Sequence, residues 1–164
     1  MKLLVLSDSH CSYQLMRIAV SAVHPDMIIH LGDHFDDGEV IAQENPHVRV
    51  IQVPGNCDRF RMPEPKPEIM CFSIFGVKTY ISHGHLHGVK SNPYRLISDA
   101  RRFDARLCLY GHTHEASCFF EDGIWVMNPG TCGSTGGSVG LVEIKNEEIT
   151  SVRVLRLDDL EEFK

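Results

Sequence analysis

The chain has 164 residues, of which 43% are hydrophobic and 23% are charged, and this size suits a single domain, residues 1–164, with a proper core. The net charge of −6 at pH 7 argues against the broad basic surface that an extended nucleic-acid partner requires. The six cysteines include no CxxC pair, which disfavours a zinc ribbon or a disulfide framework. No segment approaches the roughly 20 apolar residues of a membrane span. We therefore expect a cytoplasmic protein with no membrane partner.

Predicted strands alternate with predicted helices from the beginning of the chain. Short apolar runs without helical periodicity predict buried strands. They cover residues 2–6, 27–31, 48–53, 77–81 and 107–110. Residues 12–23 carry apolar side chains at helical spacing and stop before Pro25, and residues 40–44 are a weaker helical stretch that ends before Pro46. This alternation predicts that the sheet begins with parallel strands.

From residue 69 onward the pattern changes to hairpins. Residues 59–67 hold three prolines among charged residues, which predicts an extended, exposed loop that would form a mobile lip of a nearby site. Three predicted hairpins are expected to form a second, mixed or antiparallel sheet. They cover residues 69–81, 117–127 and 139–155. A helix at about residues 93–103 and a frayed acidic end at residues 158–164 complete the prediction of two sheets flanked by helices.

Five short polar clusters, nearly all directly after a predicted strand, carry the functional signal. In open α/β sheets the carboxyl ends of the strands gather at one edge, so side chains far apart in sequence converge there. The clusters are Asp8-x-His10, Gly32-Asp33-x-x-Asp36, Gly55-Asn56-Cys57-Asp58, His83-Gly84-His85 and Gly111-His112-Thr113-His114.

Taken singly, most of these clusters also have a structural explanation. Asp8 could favour the positive end of a helix, Asp33 could be an ordinary turn residue, and Asn56 could close a tight turn. The two pairs of histidines separated by one residue are hard to explain as core filling. Carboxylates, an amide and imidazoles together form a mixed nitrogen and oxygen donor set, unlike the thiolate sets of structural zinc. The combined pattern predicts a two-metal hydrolase.

The order of the five clusters resembles that of the calcineurin-like metallophosphoesterase superfamily. The Gly-Asn-Cys-Asp sequence at residues 55–58, the Asn-Pro-Gly turn at residues 128–130 and the compact size are similar to its small bacterial and archaeal phosphodiesterases, the YfcE/YsnB-like subgroup. The resemblance implies an α/β fold, an αββα sandwich of two mixed β-sheets flanked by helices. It also implies a phosphodiesterase in which two divalent ions about 3.5–4 Å apart share a hydroxide that attacks phosphorus in line.

The resemblance further assigns the metal ligands. Each ion has its own set of ligands, and Asp33 belongs to both sets. The sets are Asp8, His10, Asp33 and His114 for one ion, and Asp33, Asn56, His83 and His112 for the other. Manganese is the expected metal, although iron, nickel or zinc would fit the same donors.

The resemblance leaves the proton donor open, because Cys57 stands where many larger members of the superfamily have a histidine that helps to protonate the leaving group. His85 is the candidate acid, and a hydrogen bond that orients a metal ligand is the alternative role for it. Asp36 and Asp58 match the clusters as carboxylates that orient ligands. The candidate catalytic residues are therefore Asn56, which is also a metal ligand, His85 and Asp58.

Other conspicuous residues are expected to be structural. We place five histidines on the surface or in structural positions: His24, His30, His34, His47 and His87. Four aromatic residues are expected in the core: Phe72, Phe75, Tyr80 and Trp125. The turn at residues 128–131 is expected to close beside the site.

Two other functions are kept as alternatives. A phosphomonoesterase of the same mechanism would have to neutralise one more negative charge, for which Arg59 and Arg61 are candidates, although an exposed loop is their simpler explanation. A binding scaffold on the same fold is disfavoured because every matching ligand residue is present. The expected partner is a small phosphoester substrate, and the sequence is compatible with a homo-oligomer without requiring one.

Overall fold

Strands alternate with helices up to residue 52, and from residue 69 most strands pair as hairpins. The structure, a computed structural model, describes residues 1–60 and 62–161. The strands are β1 Lys2–Leu6, β2 Met27–His30, β3 Arg49–Gln52, β4 Ile69–Ile74, β5 Val77–Ser82, β6 Leu107–Leu109, β7 Ser117–Glu121, β8 Ile124–Asn128, β9 Ser138–Lys145 and β10 Glu148–Arg156. The helices are α1 Tyr13–Val23, α2 Phe35–Glu44, α3 Tyr94–Arg102 and α4 Leu157–Glu161, with a short 3₁₀ helix at His85–His87.

The strands form two five-stranded sheets of mixed direction. The first has the order β10-β9-β1-β2-β3 and the second the order β4-β5-β6-β8-β7. Strands β1, β2 and β3 are parallel, as are β5, β6 and β8. The remaining pairs are antiparallel. The prediction of two mixed sheets is confirmed.

Apolar side chains fill the spaces between four layers. Leu3 and Val5 of β1 face the second sheet and pack with Leu109 of β6. Leu4 and Leu6 on the opposite face of β1 pack in the cluster that includes α1 and α4. A third cluster joins α3 to the outer face of the second sheet. Because β1 is buried on both faces, its sequence is a continuous apolar run rather than an alternating one.

The third predicted hairpin lies in the first sheet, so the expectation that it would belong to the second sheet was wrong. Strand β9 pairs antiparallel with β1. Its side chains Val139 and Leu141 pack toward the helices, while Val142 and Ile144 pack between the sheets. Turn signals predict which two strands form a hairpin, but they do not specify the sheet edge at which that hairpin docks.

Two helices differ from the sequence prediction. Helix α2 begins at Phe35, well before the predicted residue 40, because a side chain from another loop holds its first N–H groups. Helix α4 replaces the expected frayed end, since Leu157 and Leu160 are buried in the cluster that includes α1. Residues 162–164 of that expectation lie outside the described residues. The helix predicted at residues 93–103 is confirmed as α3.

The proline-rich stretch at residues 59–67 contains no helix or strand where the structure describes it, and most of it is exposed, as predicted. Its mobility stays a prediction. Within the described residues, no helix combines the length and apolar character needed to cross a membrane.

Candidate metal centre

The five polar clusters meet at the carboxyl ends of the parallel strands. Asp8, Asp33 and Asn56 lie in the loops after β1, β2 and β3, and His83 and His112 lie after β5 and β6 of the second sheet. The N–H of His112 donates a hydrogen bond to Asp8 Oδ2 at 3.0 Å, which links the loops of the two sheets. The predicted convergence at one edge is therefore present.

The seven predicted metal ligands come together around two groups of donor atoms. Within each group, the ring nitrogens and carboxylate oxygens lie within 4.8 Å of one another. The groups are Asp8, His10, Asp33 and His114, and Asp33, His83 and His112. Asn56 adjoins the second group, since its Oδ1 lies 3.2 Å from His83 Nε2. Asp33 is common to both groups.

The first group contains a buried carboxylate oxygen that lacks a hydrogen-bond donor. Asp8 is fully buried, and its Oδ2 accepts hydrogen bonds from Ser7 Oγ at 2.5 Å and from the N–H of His112. Its Oδ1 accepts none from the described residues, although His114 Nε2 lies 3.2 Å away. His10 Nε2 lies 3.4 Å from His114 Nε2. A buried charged oxygen without a donor is costly, and a divalent cation among these donors would satisfy it, so the residues fit a metal ion.

In the second group, His83 is oriented as metal-binding histidines usually are. It is fully buried, and its Nδ1 donates to the carbonyl oxygen of Leu31 at 2.8 Å. A carbonyl oxygen can only accept, so this bond places a proton on Nδ1 and leaves Nε2 as the nitrogen that can ligate a cation. Nε2 lies 3.2 Å from Asn56 Oδ1 and 3.5 Å from Asp33 Oδ1. Nε2 is thus directed at the other donor atoms of the group.

The pKa shifts of two donor residues, Asp33 and His112, suit metal binding. Burial raises the pKa of Asp33, but the neighbouring His83 and the hydrogen bonds from Cys57 outweigh burial and bring that pKa below its ordinary value. Burial, with repulsion from His83 and Lys90, lowers the pKa of His112 to about 4. Near pH 7 the Asp33 carboxylate is ionised and the His112 imidazole is neutral, which are the states that ligate a cation.

The backbone of the site is strained at most of the predicted ligands. Five of them have positive φ: Asp8 (53°), His10 (44°), Asp33 (55°), His112 (71°) and His114 (62°). This conformation costs a residue other than glycine roughly 1–2 kcal/mol. Strain of this kind concentrates at functional sites, where the surrounding structure holds it in place.

Glycine at position 55 allows the loops after β2 and β3 to touch. A Cβ on Gly55 would lie 2.2 Å from Asp33 Oδ1, and a Cβ on Gly32 would lie 2.4 Å from the nitrogen of Gly55. No larger residue fits at either position without displacing the Asp33 carboxylate or its loop.

Asp58 is buried and holds the same two loops together through the backbone. Its Oδ1 accepts hydrogen bonds from the N–H groups of His34 and Phe35 at 2.8 and 2.9 Å, and its Oδ2 accepts one from the N–H of Gly55 at 2.7 Å. The carboxylate thereby caps the N-terminus of α2 from a different loop. This geometry agrees with the predicted orienting role of Asp58.

The matching role predicted for Asp36 was wrong, because Asp36 is exposed in the first turn of α2. Its neighbour Asp37 is the buried carboxylate, and its Oδ2 accepts hydrogen bonds from Ser9 Oγ at 2.6 Å and from the N–H of Cys11 at 2.8 Å. Because the predicted helix began after this position, no helical periodicity indicated which of the two aspartates would face the site.

Two further side chains hold the loops of the site through hydrogen bonds. The sequence pointed to their turn but not to either residue individually. The buried Asn128 donates through Nδ2 to the carbonyl oxygen of Gly111 and to Thr113 Oγ1, both at 2.9 Å. Thr131 Oγ1 donates to the carbonyl oxygen of Asp8 at 2.7 Å. The turn at residues 128–131 therefore lies beside the site, as predicted.

The histidines expected to be structural fall into three environments. His24 and His47 are exposed, and His30 and His87 are buried. His34 lies at the site, with Nδ1 3.1 Å from Cys11 Sγ, and the donor atoms of His34, Cys11 and Asp37 form a third close group. The four aromatic residues pack in or against the core, as predicted.

His85 and Cys57 lie beside the second group without belonging to it. The His85 ring centroid is 5.4 Å from that of His83, and its Nε2 is 3.8 Å from Glu68 Oε1. Burial lowers the pKa of His85. Cys57 Sγ donates to Asp33 Oδ2 at 3.3 Å, and burial together with this carboxylate raises the pKa of the thiol to about 11, so it stays protonated at neutral pH.

The fold and these donor groups define a metal-binding α/β sandwich whose site lies at the carboxyl ends of its strands. The model of the calcineurin-like phosphoesterase superfamily domain matches residues 1–147. The chain therefore belongs to the calcineurin-like phosphoesterase superfamily, as the sequence predicted, and this family together with the names of its relatives indicates a metal-dependent phosphoesterase.

Individual relatives agree with this assignment. The chain is 33% identical over 134 residues to a probable metallophosphoesterase from Mycoplasma pneumoniae, covering 79% of this chain and 78% of the relative. It is 26% identical to a phosphodiesterase from Methanocaldococcus jannaschii, covering 93% of this chain and 98% of the relative. Its structure is similar to that of a predicted phosphoesterase from Streptococcus pneumoniae, with a TM-score of 0.74, 27% identity and coverage of 96% and 90% of the two chains.

Proposed function

We propose that the protein is a phosphodiesterase that works with a dinuclear metal centre. The observation that carries this proposal is the position of Asp33, which contributes to both groups of donor atoms. A carboxylate shared in this way suits two ions held a few ångströms apart. The name of the archaeal relative, a phosphodiesterase, supports the preference for diesters.

The charges of the ligands favour an anionic substrate. When bound, two divalent ions would supply positive charge and a water molecule of lowered pKa. Asp8 and Asp33 neutralise only two of the four positive charges that such ions carry, because the other proposed ligands are neutral. The surplus favours binding of a phosphate and of the charge that develops on it during reaction. Carboxylate, amide and imidazole donors suit Mn²⁺, the metal that we propose, and also fit iron, nickel or zinc.

The residues around the second group have separate tasks. Asn56 offers a neutral oxygen donor, so it adds a ligand without reducing the positive charge. His85 lies 6.1 Å from His112 between ring centroids and is placed to give a proton to the leaving group. Burial holds the pKa of His85 below its ordinary value, and Glu68, close to His85 Nε2, partly opposes this shift.

The test is hydrolysis of bis(p-nitrophenyl) phosphate and of p-nitrophenyl phosphate by metal-stripped protein refilled with Mn²⁺, Mg²⁺, Zn²⁺ or Ni²⁺. We expect metal-dependent turnover that is faster for the diester and is lost in Asn56→Ala. Faster turnover of the monoester would instead indicate a phosphomonoesterase. Arg59, which is exposed, would then be the candidate for neutralising the additional negative charge. Arg61 lies outside the described residues. Full metal occupancy without turnover of either compound would favour a binding scaffold.

A further inference from the structure

A cleft of about 690 Å³ opens beside the second donor group. Gly55 and His85 both line it. Gly55 lies against the Asp33 carboxylate, and the His85 ring lies next to that of His83. A substrate whose phosphate lay at the donor groups would therefore have the cleft within reach of its ester substituent.

Among the described residues that line this cleft, the formal charges cancel. Arg59 and Lys66 provide two positive charges, and Glu64 and Glu68 provide two negative ones. A pocket that recognised a second phosphate or carboxylate would need an excess of cations. These residues therefore suit an uncharged group, while the proposed metal ions would supply the positive charge needed for the phosphate.

The rest of the lining is mostly apolar and partly rigid. Pro63 and Pro65 present fixed rings, and Met62 and Leu86 add adaptable apolar surface. Flat apolar faces of this kind pack against planar rings, while the charged side chains around them can bond to polar atoms on the edge of a ring. The volume lies within the usual range of small-molecule sites, roughly 300–1,000 Å³.

We propose that this cleft binds an uncharged planar heterocycle of the nucleoside-base class, carried by the group esterified to the substrate phosphate. The catalytic part of this inference rests on the proposed phosphodiesterase function. The binding part does not, because the cleft walls lie outside the groups of metal donors.

The experiment compares two diesters with the same leaving group, methyl p-nitrophenyl phosphate and thymidine 5′-(p-nitrophenyl phosphate). For the Mn²⁺-loaded protein we expect kcat/KM about tenfold higher for the thymidine diester, which corresponds to about 1.4 kcal/mol of added binding. Binding of thymidine alone, followed by saturation-transfer NMR on the metal-free protein, gives a second readout that requires no turnover.

Variants of Met62 test the location. Met62→Glu places a negative charge in the cleft and is expected to remove most of the thymidine preference and the NMR signal, whereas Met62→Leu keeps both. Tyr94→Glu is the matched control, since Tyr94 is exposed and lies outside the cleft lining. It is expected to behave as the unaltered protein.

The outcomes separate the two proposals. Equal kcat/KM for the two diesters, without thymidine binding, would overturn the cleft assignment and leave the phosphodiesterase proposal standing. Thymidine binding that Met62→Glu abolishes, in a protein that hydrolyses neither diester, would support the cleft assignment and overturn the phosphodiesterase proposal. Thymidine binding that persists in Met62→Glu would place the ring elsewhere.

Discussion

Asp33 depends on its neighbours for both its charge and its position. The N–H and thiol groups of Cys57 donate to its two oxygens, and Gly55 leaves the space that the carboxylate occupies. The thiol is a hydrogen-bond donor at a position where a histidine would be an acid. We therefore propose that the acid role belongs to His85, whose ring lies next to that of His83.

His85→Ala should slow substrates with poor leaving groups far more than substrates with good ones. A general acid contributes typically 10²–10⁴-fold when the departing oxygen needs a proton, and little when the leaving group is p-nitrophenolate. The measurement is kcat/KM for a series of aryl and alkyl phosphodiesters, plotted against the pKa of the leaving group. If the variant loses the same factor across the series, His85 is not the proton donor.

His114→Gly should give a more stable metal-free protein than His114→Ala. Residue 114 has φ of 62°, a conformation that glycine adopts freely and alanine does not, and the side chain is about half exposed. We expect a difference of about 1 kcal/mol in the free energy of unfolding, measured in urea with EDTA present. Both variants should bind metal more weakly than the unaltered protein. Equal stability would show that the left-handed backbone at this residue is not strained.

At the scale of elements, loops that are remote in sequence fix one another through backbone hydrogen bonds. Helix α2 has His34 at its N-cap, and no side-chain bond from that residue satisfies the helix end. Asp58, in the loop after β3, performs this task and also binds the N–H of Gly55. The start of α2, the glycine turn and the Asp33 loop consequently form one structural unit.

Asp58→Asn should destabilise the protein by at least about 2 kcal/mol. The amide has only one acceptor oxygen, and its NH₂ group would face an N–H that the carboxylate now binds. Thermal and urea unfolding measure this loss. Asp36→Asn is the matched control, since Asp36 is exposed in the same helix, and it should change stability by about 0.5 kcal/mol or less. A similar small effect for Asp58→Asn would contradict the capping role.

At the scale of the whole molecule, polar groups buried between the first sheet and its helices link the site to the core. His30 of β2 is fully buried, with Nε2 3.0 Å from Ser9 Oγ, and that hydroxyl donates to Asp37 of α2. Burial lowers the pKa of His30 to about 4, although the carboxylates of Asp37, Asp58 and Asp8 oppose this shift. The folded protein therefore keeps this imidazole neutral well below the pH at which an exposed histidine is protonated.

Stability should consequently fall as the pH is lowered from about 6.5 to about 4. In this interval the unfolded chain binds a proton at His30 that the folded chain does not, so each drop in pH lowers the free energy of unfolding. The stability that depends on the neutral histidine is fully present above pH 6.5 and is lost below pH 4. The expected loss is about 3 kcal/mol. Urea unfolding of His30→Gln should lack this part of the pH dependence, and His24→Gln, at an exposed position, should retain it. An unchanged pH profile in His30→Gln would assign the acid sensitivity to other groups.

The sequence determined the parts of this protein that depend on local pattern. Buried strands with apolar residues on both faces appear as short continuous runs, and polar clusters directly after them mark the edge at which parallel strands end. The two-sheet fold, the places of the hairpins along the chain and the convergence of Asp8, Asp33 and the histidines could therefore be predicted from the sequence.

Only the tertiary structure decided the features that depend on packing between segments distant in the chain. Turn residues specify a hairpin but not its sheet, so the docking of β9 beside β1 was not predictable from them. The choice of Asp37 over Asp36, the earlier start of α2 and the anchoring of α4 likewise depend on contacts with other loops and helices. Local sequence sets the conformations that a segment favours, and the burial and hydrogen bonding available only in the folded molecule select one of them.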